Sequence, residues 1–188
     1  STLFSGKFVR LRESLGALQH PNILKVYDAT IDEDGPYIVT QLQSQDCLYD
    51  WLKDKGYLTE DLAASLLQQL LEAFSYLHKK KMVHGSLSLT SVTCTCIDET
   101  HHHFQIIDTG LNGLIELIRG SDVTASIDQN SPFIAPEIKQ GKPATHQSDL
   151  YSIGKVCQSC LPEREVHTGN TQSIILRKLL YQLTEKAP

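Results

Sequence analysis

Tyr76-Leu77-His78-Lys79-Lys80-Lys81-Met82-Val83-His84-Gly85-Ser86-Leu87-Ser88-Leu89-Thr90-Ser91 carries the end of a helical pattern into a polar turn. Upstream, Leu62, Leu66, Leu70, Phe74 and Leu77 recur at spacings of three and four and form one apolar stripe, which predicts a helix over 59–80. Thr59 is its cap, Glu60 and Asp61 favour the positive end of its dipole, and Lys79, Lys80 and Lys81 favour the negative end. Downstream, short apolar pieces near Val92 and at 104–107 predict a small hairpin.

Working outward toward the start, Phe8, Leu11, Leu15 and Leu18 predict an amphipathic helix over 7–19, ended by His20-Pro21-Asn22 because proline disfavours helix in the residue before it. Residues 23–30 and 37–42 read as strands joined by the turn Asp32-Glu33-Asp34-Gly35, and a short helix follows at 48–52. Toward the other end, 111–136 is of mixed composition, Ser148-Asp149 starts a helix through Cys160, 161–172 reads as loop, and 174–183 as a last amphipathic helix. Strands concentrated at the start and helices after them make the fold α+β.

The bulk numbers exclude several classes. The 188 residues suffice for one domain with a real core. A net charge of −5, with no basic run longer than Lys79-Lys80-Lys81, argues against nucleic acid or an anionic membrane as the main partner. No apolar run approaches the ~20 residues that cross a bilayer, and no secretory signal is visible. Five cysteines, an odd count, fit a reducing compartment, so a cytoplasmic location is expected. Cys94 and Cys96, Cys157 and Cys160, with His101, His102 and His103, invite a zinc reading. The pairs lie about 60 residues apart and Cys94 to Cys96 is one residue short of the usual spacer, so free thiols are the preferred expectation.

Six short motifs share one order and spacing. They are His20-Pro21-Asn22-Ile23 after a helix, Tyr37-Ile38-Val39-Thr40-Gln41-Leu42, Tyr76-Leu77-His78 with Val83-His84-Gly85-Ser86-Leu87, Ile106-Ile107-Asp108-Thr109-Gly110, Ala135-Pro136-Glu137, and Ser148-Asp149-Leu150-Tyr151-Ser152-Ile153-Gly154. In that order they resemble the eukaryotic Ser/Thr protein kinase superfamily, and the resemblance covers nearly the whole chain. It implies a partial N-lobe over 1–42, holding the regulatory helix and two or more strands, and a helical C-lobe over 43–188 that is shortened after Gly154. Thr40 falls in the gatekeeper place, with Gln41 and Leu42 in the hinge.

The same resemblance implies that the chemistry has been lost. A protein kinase uses an aspartate to accept the substrate hydroxyl proton, an asparagine and the D-F-G aspartate to hold magnesium, and a lysine–glutamate pair on the phosphates. Aligned on H-R-D-L-K-x-x-N, Ser86 falls at the catalytic aspartate, Ser88 at the lysine and Ser91 at the asparagine. Leu11 falls at the regulatory-helix glutamate, and Glu13 lies about 200° around the helix from it. The glycine-rich loop and its lysine would precede Ser1. Thr109 replaces the phenylalanine of D-F-G, and Gly85 replaces the arginine that receives an activation-loop phosphate, so phosphorylated Thr124, Ser126 or Ser131 would lack that receptor. One metal ligand, Asp108, remains. His84, Asp149 and Glu137 are expected in structural roles, with Glu137 seeking an arginine beyond Pro188 or staying solvated.

A scaffold without its chemistry resembles a pseudokinase. Its expected work is allosteric regulation or scaffolding of a protein partner, such as an active kinase domain in the same polypeptide, a separate one, or a second copy in a homodimer. Degenerate domains beside active ones in stress-responsive translation kinases, and the tribbles group, are similar in logic. The alternatives are a nucleotide-sensing switch that binds ATP without turnover, through Thr40, Gln41, Leu42 and Asp108, and an atypical active kinase. No cofactor is expected beyond weak ATP and magnesium binding.

Overall fold

The computed structural model describes residues 2–31, 33, 36–42, 46–98, 101–110, 130–163 and 170–185. In chain order the described elements are α1 (Thr2–Gly16), β1 (Val26–Ile31), β2 (Pro36–Thr40), α2 (Leu48–Lys55), α3 (Glu60–Lys79), a 3-10 turn (Leu89–Ser91), β3 (Val92–Cys96), β4 (His102–Ile106), α4 (Pro136–Lys139), α5 (His146–Ser159) and α6 (Thr171–Thr184). The strands form two antiparallel pairs, β1 with β2 and β3 with β4. The architecture is α+β, with helices predominating after Thr40.

The long helix α3 organises the rest. Thr59 Oγ1 accepts the Leu62 N–H at 3.3 Å and caps it. The predicted stripe is buried at Leu66, Leu70, Phe74 and Leu77. Ala63, Leu67 and Ala73 widen it, which leaves Leu62 at the edge, only partly buried. Packed around this stripe are Leu15 and Leu18 near the end of α1, Leu48 of α2, Val92 and Cys94 of β3, Phe104 and Ile106 of β4, Ile153 and Val156 of α5, and Leu180 of α6.

Several boundaries differ from the sequence expectation, each for a local reason. Helix α1 begins at Thr2 and ends at Gly16, and the chain tightens to a Leu18 N–H to Leu15 C=O bond at 3.1 Å before Pro21. Residues 23 and 24 leave the first strand to grip the hairpin. Ile23 bridges Ile106, and the Leu24 N–H donates to Ile106 C=O at 2.7 Å. Asn22 is buried and seals that junction, its side-chain amide donating to Phe104 C=O at 2.8 Å and to Gln69 at 2.7 Å. Helix α2 runs on to Lys55, and α6 is one to three residues longer at each end than 174–183.

Helix α5 starts two residues before Ser148. Thr145 is its cap, and Ser148 is the reciprocal partner in a capping box. The turn Pro136–Lys139, α4, was not anticipated from composition. Residues 32, 34 and 35 of the first turn, most of 111–136, and the candidate phosphosites Thr124 and Ser126 lie outside the described residues.

Leu70 is 1% exposed at the middle of the α3 stripe. Leu70→Ala is expected to lower unfolding stability by about 2–5 kcal/mol, read from urea or thermal midpoints. A loss well under ~1 kcal/mol would mean that α3 is not the central packing element.

Candidate functional site

The loop that follows α3 is held from below by one carboxylate. Asp149, with no exposed surface, sits in the first turn of α5. Its Oδ1 accepts the Gly85 N–H at 2.8 Å, and its Oδ2 accepts the His84 N–H at 3.1 Å. His78 Nε2 lies 2.8 Å from the same Oδ2. A buried charge is tolerated only where hydrogen bonds replace its water, and these groups are donors of that kind. Phe74 of α3 packs against the rings of both His78 and His84, with centroids 5.8 Å away in each case.

His84 then reaches upward. Its Nε2 lies 2.9 Å from Asp108 Oδ1, while Nδ1 accepts the Ser86 N–H at 3.4 Å. In the neutral ring Nδ1 accepts and Nε2 carries the proton toward Asp108, whereas protonation would add a proton at Nδ1 at the expense of the long Ser86 contact and leave the Nε2–H on Asp108. Burial lowers the basicity of this imidazole, but the charge and hydrogen bond of Asp108, with the charge of Asp149 behind, outweigh it and raise the pKa above the ordinary value.

Asp108 is engaged on its second oxygen as well. Ser91 Oγ donates to Asp108 Oδ2 at 2.8 Å. Ser91 is 2% exposed and accepts the Ser88 N–H at 3.1 Å, closing a reciprocal cap on the 3-10 turn. Ser88 Oγ contacts Thr90 Oγ1 at 2.8 Å. Ser86 is half-buried at the start of this loop.

Two glycines set the backbone here. Gly85 has φ +79, in the left-handed region where a side chain costs about 1–2 kcal/mol. Gly110 has φ +88, and a Cβ there would stand 2.2 Å from Leu15 Cδ2 of α1. Between Asp108 and Gly110, Thr109 is buried, and among the described residues its hydroxyl has no hydrogen-bond partner.

The remaining candidates lie outside this cluster. Leu11 is half-buried against the core and Glu13 is exposed, while Arg12 ties α1 to Asp28 of β1. Thr40 is half-buried at the end of β2, Gln41 is exposed and Leu42 is 88% exposed. None of the three joins the hydrogen bonds around Asp108. Glu137 was expected to stay solvated or await an arginine outside the chain. Among the described residues, Ser148 Oγ of α5 donates to its Oε1 at 2.7 Å. His78 was quoted for its place in Tyr76-Leu77-His78 but not as a partner of Asp149. The neighbouring Tyr76 hydroxyl accepts the Gln19 N–H at 2.9 Å and so secures the segment after α1.

The cysteines are free thiols. Burial pushes Cys94 and Cys160 up to about 12 and Cys157 well above its usual range, so none of these three is a thiolate at neutral pH. Among the described residues no group of three or more His, Cys, Asp or Glu is placed to hold a metal ion. Among the same residues no helix is long and apolar enough to cross a membrane.

Comparison with known proteins agrees with this geometry. The family model described as the protein kinase domain matches residues 6–187.

The chain belongs to the protein kinase family.

Among kinases it is 29% identical over 160 residues to death-associated protein kinase 2 of Mus musculus, covering 85% of this chain and 42% of that protein. It is 31% identical over 142 residues to calcium/calmodulin-dependent protein kinase type 1 of Macrobrachium nipponense, covering 76% of this chain and 40% of that one. The chain thus spans less than half the length of these curated kinases. The Mycobacterium tuberculosis PknI kinase domain superposes over 100% of this chain and 73% of its own, with TM-score 0.71 at 17% identity, which shows the shared fold.

Kinases of this family employ ATP and magnesium, with the D-F-G aspartate and the catalytic-loop asparagine on the metal. The residues expected at those places from the motif order are Asp108 and Ser91, and their hydrogen bonding does not suit that ion. Both Asp108 oxygens already accept hydrogen bonds. Ser91 is buried, and its hydroxyl points its proton at Asp108 while accepting from Ser88. Magnesium demands oxygen ligands in near-ideal octahedral geometry and gives up its water reluctantly.

Two outcomes follow. Because the folded pKa of His84 is raised, its contribution to stability is full below the unfolded value near 6.5 and is lost as pH rises through the folded value. The stability gap between wild type and His84→Gln is therefore expected to narrow with rising pH across that window, measured by chemical denaturation at several pH values. A gap independent of pH there would remove the ionised His84–Asp108 pair. Separately, Thr109→Val removes a buried hydroxyl without a partner among the described residues, at nearly constant volume. It is expected to leave stability unchanged or raise it by up to ~1 kcal/mol, and a loss above that would show that the hydroxyl is satisfied.

Proposed function

We propose that this chain is a catalytically inactive kinase domain that regulates or scaffolds a protein partner in the cytoplasm. The observation that carries the proposal is Ser86 at the position of the catalytic base. A serine hydroxyl is too weak a base at neutral pH to replace a carboxylate, and a positioned base is typically worth ~10²–10⁴ in rate. Ser91 at the asparagine position, Ser88 at the lysine position and Leu11 at the glutamate position support the same reading. The named relatives are kinases, and activity is the family default, so the proposal rests on these substitutions and not on the relatives.

The partner that suits such a domain is a kinase domain, in the same polypeptide or a separate one, or a second copy. The supporting consideration is what has been kept. Asp149, His84 and Glu137 maintain loop and helix geometry, which a surface-presenting role needs. A second reading, a nucleotide-sensing switch, is favoured by the retained Asp108, whose side chain is 26% exposed.

Purified protein is expected to transfer no phosphate to itself or to generic substrates above a Ser86→Ala control. Turnover that disappears with Asp108→Ala would overturn the inactive reading. Calorimetry with ATP and magnesium is expected to give a dissociation constant of about 100 μM or weaker, roughly −5.5 kcal/mol. A low-micromolar constant abolished by Asp108→Ala would favour the nucleotide switch.

A further inference from the structure

Resting on the inactive reading above, we propose that Ser91 and His84 form a clasp on Asp108 that takes the place of the metal ion, and that this clasp holds the loop closed without nucleotide.

The argument begins with what Ser91 changes. At this position a kinase carries an asparagine whose carbonyl oxygen faces the metal beside the D-F-G carboxylate. Two oxygen acceptors turned toward one point repel each other unless a cation stands between them. A serine hydroxyl reverses the polarity. It donates, so the serine–carboxylate pair attracts with no cation at all. The structure shows that pair at 2.8 Å, with Ser91 2% exposed and its hydroxyl accepting from the Ser88 N–H.

The second oxygen of Asp108 receives the second donor. His84 Nε2 stands at 2.9 Å on a ring whose side chain is 1% exposed. Charge-assisted bonds of these lengths are the strong kind. Each donor is fixed from behind, His84 by the Asp149 bond to its own N–H and Ser91 by the 3-10 cap. The clasp therefore links three segments: the loop after α3, the turn before β3, and the Asp108 strand end after β4. In a kinase the metal that joins the asparagine and the D-F-G aspartate also bridges the nucleotide phosphates. Here the link is built from side chains, so the loop surface is presented in the same form whether or not ATP is available. Ser91 is a positioning residue in this account, since it acts only through Asp108.

The test compares thermal unfolding of the chain in EDTA, in magnesium, and in magnesium with ATP, for wild type, Ser91→Thr and Ser91→Asn. Wild type and Ser91→Thr, which keeps the hydroxyl, are expected to show the same midpoint in all three. Ser91→Asn restores an amide oxygen and removes the donor. It is expected to have a lower midpoint in EDTA and to gain roughly 3 °C or more from magnesium with ATP. A gain of that size in wild type overturns the clasp, and so does a Ser91→Asn protein with no gain.

Should Ser91→Asn fail to fold, manganese on wild type decides. Paramagnetic manganese near Asp108 would broaden the His84 ring signals in NMR, and the clasp requires that they stay sharp at stoichiometric metal. Broadening without phosphotransfer in the same sample overturns the clasp alone. Phosphotransfer overturns the inactive reading instead.

Discussion

A carboxylate with no exposed surface is the point on which this domain turns. Asp149 belongs to α5, yet its hydrogen bonds go to the backbone of His84 and Gly85 and to the ring of His78 at the end of α3. Removing an isolated ion from water costs several kcal/mol, so the site survives only while these donors stay in place. The requirement runs both ways. The loop cannot shift without stranding the charge, and α5 cannot shift without releasing the loop. Everything above the loop inherits its position from that restraint, including the His84 ring and, through it, Asp108.

The kinase fold thus rests on mechanical restraints that do not depend on the reacting groups. On the reading proposed above, Ser86 and Leu11 stand at places where a kinase has carboxylates, and both are half-buried. Leu11 packs where glutamate would need a cationic partner. On the same reading Asp108 is the metal ligand that remains, and each of its oxygens accepts a hydrogen bond within the chain.

Much of this was legible in the sequence, and the limits have physical causes. The α3 stripe was readable because helical periodicity is a local property and Leu66, Leu70, Phe74 and Leu77 share one face. The placement of Ser86, Ser91 and Asp108 came from order and spacing along the chain. What stayed hidden depends on contacts between residues far apart. Ser148 pairing with Glu137 spans eleven positions, and His78 meeting Asp149 spans 71. The start of α5 lies before Ser148 because Thr145 is the cap and Ser148 answers it from inside the first turn. Residues 23 and 24 looked like strand because isoleucine and leucine suit a strand, but they are spent on Ile106. The engagement of both Asp108 oxygens could not be seen at all, since no spacing reveals which way a hydroxyl points.

Gly85 carries a consequence for anyone who would rebuild the site. It holds a backbone state with φ +79 while donating its N–H to Asp149. An arginine placed here, where the resemblance to kinases expects one, would enter a region that side chains avoid at a cost of about 1–2 kcal/mol, or pull the peptide away from a buried bond. Changing that one letter therefore carries a backbone cost beside any side-chain gain.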